Sequence, residues 1–270
     1  MSHPRLSPHE ILYYFKTNYR PLDYRKFVRT NDDIHTSINL CPVTTAFLST
    51  PQMQRLRGLK QLGTVEHVYV NATHTRFDHS LGVMHLSERL CKSLQRRQPN
   101  LGISNKDVIC VKLAGLLHDI GHGPFSHIYD GVFVPAARSN EESNGEDEWC
   151  HEDGSLMMID AALKHLGMAV DLDRLDEPLN QVGDGIDAKA FGFSTAQELI
   201  INIKNMITSR DIIFIKECIL GGPLPTFGKF VGRPKDKEFL YDVVSNRHCG
   251  LDVDKIDYYV SKPYVWNMYL

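Results

Sequence analysis

Residues 106–127 read KDVICVKLAGLLHDIGHGPFSH, and this stretch decides what kind of fold the chain can adopt. From Val108 to Leu117 almost every residue is apolar. A helix built from them is apolar on most sides and belongs at the centre of a helical protein, not on its surface. Directly after it come His118, Asp119, His122 and His127, groups that are costly to bury without partners. Their place at the end of a buried helix marks a candidate metal site. His118 and Asp119 are adjacent, and adjacent helical residues point about 100° apart. Both reach one ion only where the helix unwinds, and Gly121, Gly123 and Pro124 provide such a break.

Helical periodicity dominates on either side. Helices are predicted over 6–19, 51–62, 76–94, 106–117, 154–166, 195–207, 211–220 and 252–261. The first opens on a Ser-Pro-x-Glu start, as a capped helix does. Only residues 64–70, TVEHVYV, read as a strand. Polar residues at 137–150 and the Pro, Gly and Lys of 221–237 predict two exposed loops. The expected fold class is mainly α: a helical bundle with minor short strands.

Composition narrows the functional classes. Hydrophobic residues make up 42% and charged residues 23%, as in soluble globular proteins. No run of about 20 apolar residues predicts a membrane span, so no membrane partner is expected. The N-terminal segment lacks the apolar core of a secretory signal. The six cysteines are scattered, with no C-x-x-C pair, which predicts reduced thiols and a nuclear or cytoplasmic location. A net charge of −3 gives no bulk electrostatic reason to bind nucleic acid. The 13 histidines favour metal or proton chemistry.

A divalent ion needs several ligands converging from rigid elements. His79 lies on the apolar face of its helix, one turn after Arg76. Far downstream, GLDVDKIDYY offers Asp252, Asp254 and Asp257 within six residues. By themselves these three fit equally well as the acidic start of a helix. The order His, then His-Asp, then Asp, each on its own helix, resembles the ligand pattern of the HD superfamily of metal phosphohydrolases. That resemblance implies His79, His118, Asp119 and Asp254 as the metal ligands. Imidazole and carboxylate without thiolate suit Fe, Mn or Zn, with Mg accompanying a nucleotide.

The likeness extends further. TPQMQRLRGLKQLG, HTRFDHSLGV, AGLLHDIGHGPFSH, WCHEDGS and FLYDVVSNRHCGLDVDKIDYY resemble, in order and approximate spacing, the SAM-and-HD-domain deoxynucleoside triphosphate triphosphohydrolases. They cover most of residues 28–260. The resemblance implies conversion of a dNTP to deoxynucleoside and inorganic triphosphate by a nucleotide-activated tetramer. It implies that Arg76 and Lys255 contact phosphate, and that His127 protonates the leaving oxygen with Asp130 orienting it. His122 and His151 would lie beside the phosphates. Gln61 would hold the 3′-hydroxyl, Leu62 would crowd the 2′-position, and Tyr258 would lie beside the sugar. Asn31, Gln54 and Arg57 match an allosteric nucleotide site.

The sequence also departs from that pattern. Nothing like a SAM domain precedes residue 28, so residues 1–27 are expected to be a helical segment and 28–270 an HD domain. Val28 stands where the family has a lysine, although Arg29 can substitute for it. Ser49 stands where a family aspartate reads guanine, and a neutral hydroxyl cannot accept both of guanine's hydrogen bonds. Activation by GTP or dNTPs is therefore expected to be weakened. Lys262 replaces an acidic residue. The chain stops at Leu270, which predicts a missing C-terminal lobe and a dimer or tetramer only if that lobe is present. Two alternatives remain at this level. One is an HD phosphodiesterase or nucleotidase. The other is a non-catalytic fragment that binds nucleotides, other subunits or single-stranded nucleic acid, the last through basic residues such as those of 92–98, KSLQRRQ.

Overall fold

The computed structural model describes residues 28–138, 149–181, 203 and 206–260. The predicted 6–19 helix, the 1–27 segment, Lys262, and most of the 137–150 loop and the 195–207 helix lie outside the described residues.

The chain forms a mainly helical bundle. Strands β1 (Val28–Asp32) and β2 (Thr36–Leu40) make an antiparallel hairpin. Helices α1 (Pro42–Leu48), α2 (Pro51–Gln54), α3 (Arg76–Arg97), α4 (Asn105–Leu117), α5 (Val134–Arg138) and α6 (His151–His165) follow. The two-residue strands β3 (Met168–Ala169) and β4 (Asn180–Gln181) pair with each other, and α7 (Ser209–Leu220) and α8 (Val253–Val260) complete the fold.

The long helices start where the sequence places capping boxes. Thr75 with Asp78 opens α3, Ser104 with Asp107 opens α4, and Thr208 with Asp211 opens α7. In each, the N-cap hydroxyl accepts from the third residue's N–H and the aspartate accepts from the N-cap N–H, so two otherwise unpaired donors are satisfied. Helix α4 is the core element, buried from Cys110 through Leu117 and packed between α3 and α7. Its buried lysine is fully paired: Lys112 Nζ lies 2.7 Å from Glu88 on α3 and donates to the Asn39 carbonyl of β2 at 3.0 Å. All six cysteines are free. Among the described residues no helix is long and apolar enough to cross a membrane.

Several sequence expectations need correction. Residues 64–70 are not a strand. Val65–His67 form a 3-10 turn, and Val68 and Val70 are 76% and 79% exposed. Alternation stabilises a strand only when one face is buried and a partner supplies hydrogen bonds; among the described residues this segment has neither. The helix expected over 51–62 ends early, with α2 passing into a 3-10 turn at Arg55–Gly58. The β1–β2 hairpin was not expected. Its turn is closed by Asp32 Oδ1, which accepts from the N–H groups of Ile34 and His35, a local side-chain turn without a Gly signal.

Gly121 and Gly123 also act differently from the expectation. Neither adopts a left-handed φ. A Cβ on Gly121 would lie 2.0 Å from the Ser155 nitrogen of α6, and one on Gly123 would strike the Tyr129 ring. These glycines permit close approach, and the helix simply ends at Leu117. Gly121→Ala is expected to push α6 away and to destabilise the fold by about 1–3 kcal/mol, the range for overpacking a filled interior. Urea unfolding measures this, and an unchanged midpoint would contradict the close packing.

Candidate metal centre

Three elements deliver the site. The first turn of α3 presents Arg76 and His79, the turn after α4 presents His118 and Asp119, and the first turn of α8 presents Asp254. All but Asp254 are buried. His79 Nε2 lies 2.8 Å from Asp254 Oδ1. His118 Nε2 lies 3.5 Å from the same oxygen and 3.4 Å from Asp119 Oδ1, while His79 Nε2 lies 3.9 Å from Asp119 Oδ2. Side chains separated by up to 175 residues thus surround one point.

The second layer fixes which ring nitrogens face that point. His118 Nδ1 bonds the Gly115 carbonyl at 2.9 Å, so Nε2 is turned inward, where it is buried and has no hydrogen-bond partner. His79 Nδ1 bonds Asp257 Oδ2 at 2.7 Å, the carboxylate–histidine arrangement that typically backs a metal ligand. An inward imidazole nitrogen without a hydrogen bond, 3.4 and 3.5 Å from two carboxylate oxygens, presents the kind of donor set that suits a divalent ion. The three acids of the 252–257 cluster divide the work. Asp254 faces the ion site and Asp257 orients His79. Asp252 caps α8 by accepting from Lys255 N at 3.0 Å.

The electrostatics agree. Burial opposes charge on His79, but the hydrogen bonds its ring makes to the Asp254 and Asp257 carboxylates more than offset it and raise its pKa to about 10. Burial likewise works against the Asp119 carboxylate, yet the charges of His118 and Arg76 hold it well below the usual range. Arg76 Nη1 also hydrogen-bonds Asp119 Oδ2 directly.

A second histidine group flanks the first. His122 and His151 stack with ring centroids 3.8 Å apart, and His127 lies edge-on to both. Their nearest ring nitrogens lie within 4.8 Å of one another, so this group too could hold a cation. Burial drives the His122 pKa down to about 3, which keeps the ring neutral at physiological pH. Asp130 reaches two of these histidines. Its carboxylate bonds His151 Nδ1 at 2.9 Å and lies 3.7 Å from His127 Nδ1, so it orients His151 more directly than His127. The loop within this second group, between His122 and His127, is strained: Phe125 and Ser126 take φ of 65° and 56°, a left-handed conformation that persists only where its surroundings impose it. Ser126 Oγ donates to the Gln61 carbonyl at 3.0 Å and ties the loop to the α2–α3 connection.

Both groups open into one cavity of about 680 Å³, also lined by Gln61, Leu62, Arg76, Lys255 and Tyr258. Every expected phosphate- and sugar-contacting residue therefore faces the same space. Gln61 Oε1 is buried there without a hydrogen-bond partner. The expected allosteric residues lie outside this lining. Arg57 Nε donates to Gln54 Oε1 at 2.9 Å and the guanidinium covers the Phe77 ring. Asn31 lies in the hairpin opposite Ser37 and shares no hydrogen bond with that pair. Sequence reading gave no role to His35 or Gly82, both of which contact Asp257. No local signal marks either one, because their partner lies far away in the chain.

The HD domain family matches residues 76–182. The chain is 42% identical over 234 residues to the human protein named deoxynucleoside triphosphate triphosphohydrolase SAMHD1, covering 85% of this chain and 32% of that one. Against the bovine protein of the same name it is 40% identical over 234 residues, covering 85% and 34%. Against the SAMHD1 homolog of Dictyostelium discoideum it is 33% identical over 228 residues, covering 84% and 34%. The chain thus spans about a third of the length of the curated relatives it matches. An HD domain carries a divalent-metal site, and the ligand geometry described above accommodates one. Over residues 76–182 the chain thus matches the HD domain family, and over 85% of its length it is similar to proteins named deoxynucleoside triphosphate triphosphohydrolase.

Proposed function

We propose that this protein hydrolyses deoxynucleoside triphosphates to deoxynucleoside and inorganic triphosphate, with residues 28–270 forming one HD domain. One observation carries the reading: His118 Nε2, His122 Nδ1 and Gln61 Oε1 are all buried without partners around a single cavity that Arg76 and Lys255 also line. Buried polar atoms normally have partners, so these are arranged for a ligand. Its chemistry must satisfy a metal-binding cluster, two cations and an amide together.

His79, His118, Asp119 and Asp254 would hold Fe, Mn or Zn, with Mg accompanying the nucleotide. Such an ion supplies a hydrolytic water at neutral pH and screens phosphate charge. The remaining roles fall to the chain's own side chains. Triphosphate carries about four negative charges, and Arg76 and Lys255 offset them. Neutral His122 donates or accepts a hydrogen bond without adding charge. His127, at the solvent edge with its side chain 77% exposed, can exchange protons with water and deliver one to the departing 5′-oxygen. His151, braced by Asp130, positions the phosphates. Gln61 binds the 3′-hydroxyl, Leu62 crowds the 2′-position, and Tyr258 packs beside the sugar. Asn31, Gln54 and Arg57 form a nucleotide site in which Ser49 weakens the reading of guanine. Its Oγ is committed to the Thr45 carbonyl at 3.0 Å.

Product analysis tests the proposal. Purified protein incubated with each dNTP and Mn is expected to release intact triphosphate, with little further stimulation by GTP. Pyrophosphate or single phosphate as the product would overturn it in favour of a phosphodiesterase or nucleotidase. Strong stimulation by GTP but not ATP would overturn the reading of Ser49.

A further inference from the structure

We propose that His35, in the hairpin, is a positioning residue for the metal ligand His79, acting through Asp257; this rests on the assignment of His79 as a ligand made above.

The ligand nitrogen of His79 can face the ion only while its other nitrogen is held, and Asp257 Oδ2 holds it at 2.7 Å. A carboxylate bonded through one oxygen is still free to swing about its own axis. Here the other oxygen is also committed: His35 Nε2 lies 2.5 Å from Asp257 Oδ1. Asp257 is 1% exposed, so bulk water does not compete for it. Gly82, one turn beyond His79 on α3, completes the seat. A Cβ there would lie 2.0 Å from Asp257 Oδ1, so the carboxylate occupies space that only glycine leaves open.

His35 is itself anchored. Its N–H donates to Asp32 Oδ1 at 2.6 Å, its ring lies 5.3 Å from that of His85 on α3, and β2 is tied to α4 through Lys112 and Asn39. An unbroken series of short contacts therefore runs from the hairpin turn through His35 and Asp257 to His79. Outer-layer partners of this kind typically contribute about 10–100-fold to metal affinity. His35 stands one step further out than Asp257, and its share is expected at the lower end.

Cobalt(II) titration of the full chain, followed by its visible absorption, tests this without relying on turnover. Asp257→Asn is expected to weaken cobalt binding about tenfold or more and to alter the band shape. His35→Asn, whose amide is too short to reach Asp257, is expected to weaken it roughly tenfold. His35→Gln, whose amide nitrogen falls near the position of Nε2, is expected to restore most of the loss. In the Asp257→Asn background, His35→Asn should have no further effect, because the two residues act through one path. Unchanged affinity in His35→Asn, equal losses in the Asn and Gln variants, or additive losses in the double variant would each overturn the proposal. The two readings fail separately. Wild-type protein that binds cobalt through Asp119 but yields no triphosphate would defeat the proposed reaction and leave the role of His35 standing.

Discussion

Asp119→Asn is expected to abolish triphosphate release, with kcat/KM falling more than about a thousandfold, or roughly 4 kcal/mol of transition-state stabilisation. The substitution barely changes shape but removes one negative charge from the most crowded part of the site. Asp119 lies within 3.4–3.9 Å of His79, His118 and His122 and pairs with Arg76. Burial alone would raise its pKa, yet the neighbouring positive charges hold it well below the normal range, so it is a carboxylate at every working pH. An amide there deprives the ion of an anionic ligand and leaves the buried Arg76 guanidinium without its counter-charge. The effect should therefore exceed the tenfold to hundredfold expected of an outer-layer change. Elemental analysis of the purified variant should show metal content falling in parallel. Activity within tenfold of wild type, with full metal content, would remove Asp119 from the ligand set and the proposed chemistry with it.

How much of this was legible in the sequence depends on how far each signal reaches. The long helices were legible because their apolar residues recur at helical spacing, a pattern complete within a few residues; the capping boxes at Thr75, Ser104 and Thr208 that set their starts went unread. The proposed ligands stood out as an ordered set of chemical types. What escaped was set by contacts between distant segments. Residues 64–70 alternate like a strand, but whether such a segment pairs depends on a partner that its own residues do not encode. His35 became meaningful only once the fold brought it to Asp257, 222 residues away. Gly121 read as a point of conformational freedom and Gly82 was given no role, whereas each is needed for the space it leaves empty. Asp130 lies three residues from His127, so local spacing suggested that pair; the fold brings His151 closer.

Arg233→Ala is expected to cost about 3–5 kcal/mol of stability, the usual consequence of breaking a buried ion pair from one side, while leaving the metal affinity of the folded protein unchanged. Arg233 joins two helix starts. Its Nε donates to Asp107 Oδ1 at 2.6 Å and its Nη2 to Asp211 Oδ1 at 2.8 Å, and these are the capping-box aspartates of α4 and α7. The guanidinium also covers the Phe214 ring. Lys237 and Lys106 flank the two carboxylates, but neither spans both, so Arg233→Lys should recover only part of the loss. The pH dependence follows from Asp107. Burial pushes its pKa up, but hydrogen bonds from Lys237, Ser104 and Arg233 bring it down to about 2. Its contribution to stability is therefore complete above the unfolded carboxylate pKa of about 3.9 and is lost as pH falls through about 2. Without Arg233 the Asp107 pKa rises, so the acid unfolding midpoint should move to higher pH. The cluster lies about 16 Å along α4 from His118, at 1.5 Å per residue, which separates stability from chemistry. Urea unfolding at pH 7 and pH 3 measures the first, and cobalt titration of the folded variant measures the second. A variant as stable as wild type at both pH values would show that the flanking lysines alone secure the two helix starts.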